Sequence, residues 1–240
     1  MRTVTAVGHR GDPYLFRENT LPSVRSALER GADAVEIDVR LTRDGVPVLL
    51  HDATLERLWG HDRPLARVTA DELRGLTDGG VPTLREALTS ADGHRLMIDL
   101  PGATPEAVRT VVGVVHECGA GDRTYYCAGP ATMLAVREAD PAAEIAMTWT
   151  TLTPPRTALL DTVKPRWLNY RFGLLSPELC ERVHRDGLLV SAWTPDTKRS
   201  MRRLIGFGVD SVTTNRIDAL RTVRRRALSG TLREIPQQHP

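Results

Sequence analysis

The sequence predicts an α/β fold of the (β/α)8 TIM-barrel type. Short β-branched runs alternate with helical patterns from end to end. Eight such runs stand at 3–8, 34–39, 95–100, 124–128, 144–149, 167–171, 188–194 and 211–215. Residues suited to chemistry cluster at the ends of the first of them, where a barrel builds its site. At 240 residues the chain matches one barrel, expected over 1–228 with a frayed tail at 229–240.

The elements follow in order. After strand 3–8, Thr20 caps a helix over 21–30 with Pro22 in its first turn, and Gly31 stops it. Strand 34–39 then runs into Val39-Arg40-Leu41-Thr42-Arg43-Asp44-Gly45-Val46-Pro47-Val48-Leu49-Leu50-His51, which reads as a hairpin extension over about 39–51. A two-residue Asp44-Gly45 turn would set Arg43 opposite Val46 and Asp38 opposite His51. Residues 53–80 are polar and turn-rich, a loop excursion with one short helix at 69–76. Thr83 and Glu86 have capping-box spacing, and 105–118, 130–139 and 177–186 are helical in pattern.

Composition narrows the function classes. A hydrophobic fraction of 41% excludes global disorder, and a net charge of +2 gives no general attraction to nucleic acid. Cys118, Cys127 and Cys180 form neither a disulfide framework nor metal spacing, as for thiols in a reducing compartment. The start has no signal-peptide core and charges interrupt every apolar run, so no integral membrane segment and a cytoplasmic location are expected.

The chemistry-bearing residues are concentrated early. Glu36 and Asp38 stand two apart on a strand, so both carboxylates point to one face. Buried there, they need either arginines or a hard divalent cation, and Asp99 at the end of a later strand favours the cation. His9 and His51 flank the cluster and suit paired acid and base work near neutral pH. Arg10 offers a planar fork for a phosphate, and Gly8 and Gly11 allow strain or close substrate approach beside it. The histidines at 61, 94, 116, 184 and 239 show no partner pattern. Trp59, Trp149 and Trp167 suit a core, with Trp149 alternatively flooring a pocket.

These motifs resemble the glycerophosphodiester phosphodiesterase family. The resemblance rests on His9-Arg10-Gly11, Glu18-Asn19-Thr20-Leu21, Gly31-Ala32-Asp33 leading to Glu36-Ile37-Asp38-Val39, Leu41-Thr42-Arg43-Asp44-Gly45-Val46-Pro47-Val48 ending in His51-Asp52, Thr54-Leu55-Glu56-Arg57, Val81-Pro82-Thr83-Leu84, Ala192-Trp193-Thr194 and Gly208-Val209-Asp210-Ser211-Val212-Thr213-Thr214-Asn215. It implies metal-dependent hydrolysis of a small-molecule phosphodiester, with Mg²⁺ or Ca²⁺ as cofactor. It further implies His9 and His51 as acid and base, Arg10 as phosphate ligand, Glu36, Asp38 and Asp99 as metal ligands, and Trp193 lining the alcohol pocket. Three positions depart from the family pattern: Asp99 replaces a Glu, Pro101 a Lys and Asn215 an Asp. Rival readings are a barrel acting on another phosphoester, such as a lysophospholipid or specialised metabolite, and a binding barrel with weakened turnover.

Overall fold

A computed structural model describes residues 3–228, so the tail expected at 229–240 lies outside the described residues. The elements run β1 (Thr5–His9), α1 (Leu21–Glu29), β2 (Ala34–Leu41), β3 (Pro47–Leu49), α2 (Glu56–Trp59), α3 (Ala70–Leu76) and α4 (Leu84–Ser90). They continue β4 (Arg95–Asp99), α5 (Pro105–Glu117), β5 (Thr124–Ala128), α6 (Pro130–Ala139), β6 (Glu144–Trp149) and α7 (Thr157–Val163). The last third holds β7 (Trp167–Arg171), α8 (Pro177–Arg185), β8 (Leu189–Trp193), α9 (Lys198–Phe207), β9 (Ser211–Thr214) and α10 (Ile217–Leu228). All strands but β3 pair in parallel, and β1 closes the barrel between β2 and β9. The eight barrel strands are those read from the sequence, with edges moved by a residue or two.

Side-chain alternation divides each strand between two environments. Ala6, Val35, Ile37, Leu96 and Ile98 point outward into the layer shared with the helices. Val7, Ala34, Met97, Tyr125, Ala146 and Trp167 point inward and plug the lumen. Two residues further along β1, β2, β4, β6 and β7, the inward positions become His9, Glu36, Asp99, Thr148 and Asn169. Each fully buried Leu or Ile in the outer layer contributes about 1.5–3 kcal/mol. That sum allows the barrel to carry buried carboxylates at its upper rim.

The hairpin differs from the sequence expectation by one residue. Val39 pairs with Leu49, Arg40 with Val48 and Leu41 with Pro47, and Leu50 N donates to Asp38 O at 3.0 Å. Val46 therefore faces Thr42 rather than Arg43, and Asp38 is not opposite His51. The cause is a three-residue turn, Arg43-Asp44-Gly45, with Gly45 at φ +80°. Thr42 closes it: its N donates to Val46 O at 3.1 Å, and its hydroxyl accepts from Val46 N at 3.0 Å.

The excursion is also more ordered than its polar composition suggests. Besides α3, it holds α2 and a 3-10 turn at Leu65–Arg67. Val48, Leu50, Leu55, Leu65, Val68 and Leu73 pack as a separate apolar cluster that anchors it beside the hairpin. The histidines left without partners in the sequence reading find some: His116 meets Asp140 at 3.0 Å, His184 meets Asp210 at 2.7 Å, and His61 meets Leu76 O at 2.8 Å.

Candidate active site

The first turn after β1 places two functional residues at once. Gly11 has φ +90°, and a Cβ there would come within 2.3 Å of Ser23 Oγ, so the glycine lets the chain press against α1. The close approach is thus to a helix and not to a ligand. Arg10 itself takes φ +55°, held because its N donates to Glu36 Oε2 at 2.8 Å and its O accepts from Asn19 N at 3.0 Å. This leaves the guanidinium over the lumen, with Nε 3.1 Å from Asp38 Oδ2.

Strand register assembles the carboxylates. His9 lies beside Glu36, and Asp38 lies beside Asp99. Each of Glu36, Asp38 and Asp99 offers an oxygen within 4.8 Å of the others. Burial, with the neighbouring Asp38 and Asp99 charges, pushes Glu36 well above the usual carboxylate range. Burial and Asp38 push Asp99 up to about 7. Arg10 alone among the described cations sits within ion-pair distance of the cluster, so the site is short of positive charge. Hard oxygen donors crowded in this way fit a divalent cation.

The two histidines flank one cavity of about 340 Å³ over this cluster, which Arg10 and Trp193 also line. His9 Nδ1 is 2.8 Å from Asn215 Oδ1, and Asn215 Nδ2 donates to Asp196 Oδ2 at 2.8 Å. The Asp196 carboxylate can only accept, which fixes the amide with its oxygen toward His9. His9 therefore carries its proton on Nδ1, and its bare Nε2 faces Glu36 Oε2 at 3.9 Å. Burial, and then the charge of Arg10, lowers the His9 pKa.

His51 is held differently. Its Nδ1 meets Asp52 Oδ1 at 2.7 Å, and its side chain is 41% exposed. Arg57 Nε donates to Asp52, which with the bond to His51 keeps that carboxyl below its usual range despite opposing burial. Arg57 also donates to Glu18 Oε1 at 2.6 Å, and Glu18 accepts from Arg10 Nη1 at 2.9 Å. Burial would raise Glu18, but Arg57 and Arg10 outweigh it and hold it low. Asn19 completes the frame by donating to Asp38 Oδ2 at 2.8 Å while accepting from Asp38 N. A hydrogen bond from His51 to Asp52 thus leads into a continuous chain of ion pairs that runs through Arg57, Glu18 and Arg10 to Asp38.

His9, Arg10, Glu36, Asp38, His51, Asp99 and Trp193 all line this cavity, and further residues there carry no spacing signal. Cys127, Thr148 and Asn169 line it, each from a different strand, and Thr213 of the 208–215 motif joins them. Asn169 Nδ2 is held by Cys127 Sγ at 3.1 Å and Thr148 Oγ1 at 3.3 Å. Asn169 Oδ1, Trp193 Nε1 and Thr213 Oγ1 are buried without a protein hydrogen-bond partner. Burial pushes the Cys127 thiol well above its usual value, so it is no nucleophile at neutral pH. Glu18, Asn19, Asp52 and Arg57 belong to motifs visible in the sequence, yet only the fold shows what they hold. Trp149 does not floor the cavity: it packs against the outer apolar layer and donates Nε1–H to Thr153 O at 2.7 Å.

Comparison with known proteins agrees with this geometry. The model of the Glycerophosphoryl diester phosphodiesterase family matches residues 9–219. The chain belongs to this family of phosphoric diester hydrolases. A "Probable glycerophosphodiester phosphodiesterase 2" of Mycobacterium tuberculosis is 29% identical over 91% of this chain and 89% of its own length. The rat "Glycerophosphodiester phosphodiesterase 1" is 39% identical over 40% of this chain, and that match spans about a third (32%) of the rat protein. Two solved structures share the fold. One is a putative family member from Silicibacter pomeroyi, with TM-score 0.84, 23% identity and 94% coverage of both chains. The other is a phosphodiesterase from Oleispira antarctica in complex with the product sn-glycerol-3-phosphate, with TM-score 0.85, 22% identity and coverage of 91% of this chain and 96% of that one. Among the described residues no helix is long and apolar enough to cross a membrane.

Proposed function

We propose that this protein hydrolyses glycerophosphodiesters to an alcohol and glycerol 3-phosphate, using a divalent cation and a histidine pair. The observation that carries the proposal is the convergence of His9, His51 and Arg10 on three mutually crowded carboxylates in one cavity. Glu36, Asp38 and Asp99 would hold the cation, and Mg²⁺ suits so compact an oxygen set better than Ca²⁺. Bound there, the cation would supply Lewis-acid stabilisation of charge on the phosphoryl oxygens.

The protein's own groups do the rest. Arg10 binds a phosphate oxygen with a permanent charge and anchors the diester beside the carboxylates. His9 Nε2 takes the proton of the attacking hydroxyl, supplied by water, or by the neighbouring alcohol of the glycerol to give a cyclic phosphate that water then opens to glycerol 3-phosphate. His51 delivers a proton to the departing alkoxide as the phosphorus–oxygen bond breaks. The unpartnered Asn169 Oδ1, Trp193 Nε1 and Thr213 Oγ1 offer both acceptor and donor capacity to the hydroxyls of a polyol. That donor set suits the glycerol half of the substrate.

A panel of phosphodiesters assayed with and without chelator tests this reading. Release of glycerol 3-phosphate, lost on chelation and restored by Mg²⁺ or Ca²⁺, is expected. Absence of diester hydrolysis with every cation would overturn it.

A further inference from the structure

A second cavity of about 380 Å³ opens on the far side of the β4–α5 turn, and Leu100, Pro101 and Gly102 line both cavities. Pro101 and Gly102 form the ridge between them. Gly102 takes φ +66°, and a Cβ there would meet nothing within 4 Å. The walls are mainly apolar, from Val39 and Leu41 on the hairpin, Leu65 on the excursion, and Ala107 and Val111 on α5. No Asp or Glu lines it, whereas Arg40 and Arg43 both do. Arg43 is compensated by Glu72 at 3.5 Å and by its bond to Arg67 O. Arg40 is compensated only at longer range: its Nε donates to His51 O at 2.7 Å, its charge acts on Asp99, and no carboxylate among the described residues forms a close ion pair with it.

Resting on the activity proposed above, we infer that this second cavity receives the leaving alcohol and that Arg40 makes it prefer uncharged or anionic alcohols to cationic ones. Two constraints point there. The glycerol phosphate half is matched to the first cavity by its unpartnered polar atoms, so the other half of the diester must extend elsewhere. The leaving oxygen must lie within hydrogen-bond reach of His51, and Arg40 joins the His51 backbone directly to the second cavity. A substrate running from the carboxylates past His51 therefore crosses the Pro101–Gly102 ridge into it. Inside, an ammonium would be brought against a guanidinium that no adjacent carboxylate neutralises, between mainly apolar walls that weaken the screening of like-charge repulsion. A neutral polyol or an anion meets no such penalty and can accept from the free edge of Arg40.

The experiment compares kcat/KM for glycerophosphoglycerol, glycerophosphocholine and glycerophosphomethanol, whose leaving alcohols are neutral, cationic and too small to fill the cavity. Native protein, Arg40→Gln, Arg40→Glu and Ala107→Trp are assayed, with thermal melts confirming that each variant folds. Native protein is expected to favour the glycerol ester over the choline ester by about tenfold or more. Arg40→Gln should narrow that ratio and Arg40→Glu should abolish or reverse it. Ala107→Trp, which fills the cavity, should lower activity on the two large esters and spare the methanol ester. Hydrolysis of none of the three by native protein would defeat the phosphodiesterase reading itself. Hydrolysis with a ratio that Arg40→Glu leaves unmoved, or an Ala107→Trp loss equal on all three, would overturn the second cavity's role alone.

Discussion

The two histidine arms of the site are built from different materials. The His9 arm is the deeper one, its side chain 20% exposed, and is backed by a neutral amide with Asp196 one step behind it. The His51 arm stands at the rim and is backed directly by a carboxylate, which Arg57 in turn supports. A buried imidazole on an amide oxygen keeps an empty Nε2 and resists a second proton. An imidazole whose Nδ1 is held by a carboxylate is fixed in tautomer and orientation. These different surroundings fit the proposed division of roles, with His9 as proton acceptor and His51 as proton donor. The departure of Asn215 from the family's Asp becomes part of this division.

The largest expected effect comes from removing either arm. His9→Ala and His51→Ala should each lower kcat/KM by ~10²-fold or more, with melting temperatures close to native because neither ring fills the core. Native-like turnover in either variant would remove that residue from the reaction.

The next effect is smaller and specific to the rim arm. Asp52→Asn keeps the shape but withdraws the charge behind His51, and should cost about tenfold in kcat, part of the ~10²-fold that a positioned acid supplies. The loss should fall on kcat with KM close to native, since Asp52 orients the ring and does not line the cavity. A native kcat would show that His51 needs no carboxylate behind it.

A third test concerns the carboxylates between the arms. Glu36 is raised well above its ordinary range and Asp99 to about 7. For groups raised on folding, stability is present at low pH and lost as pH rises through the folded value. In chelator, the melting temperature should therefore fall by a few degrees between pH 6 and pH 8. A divalent cation, which binds the deprotonated forms, should raise it more at pH 8 than at pH 6. A larger cation effect at pH 6 would mean that the cluster is not where the cation binds.

The contrast between the arms also marks how far the sequence could be read. The strands, and the same-face placement of Glu36 and Asp38, follow from residue alternation, which is a local property. His9 and Asp99 were legible because they end apolar runs. The hairpin register was not, because Asp44-Gly45 suits a two-residue turn equally well and only the Thr42 hydroxyl selects the three-residue form. The excursion's apolar cluster is not legible because Leu55, Leu65 and Leu73 follow no helical or strand period. Cys127, Thr148 and Asn169 each stand alone on a separate strand, and barrel closure alone brings them together. Asp196 is likewise nineteen residues from the Asn215 it orients.

The assignment of roles to the two arms is tested most directly by changing the leaving group. Glycerol phosphate diesters of an alkyl alcohol and of 4-nitrophenol are compared in native protein, His9→Ala and His51→Ala. An alkoxide needs a proton to depart, whereas 4-nitrophenolate leaves without one. The loss in His51→Ala should thus shrink from ~10²-fold on the alkyl diester to within about tenfold on the nitrophenyl diester. The loss in His9→Ala should be similar on both. Rescue of His9→Ala by the better leaving group, with His51→Ala equally impaired on both, would contradict the account.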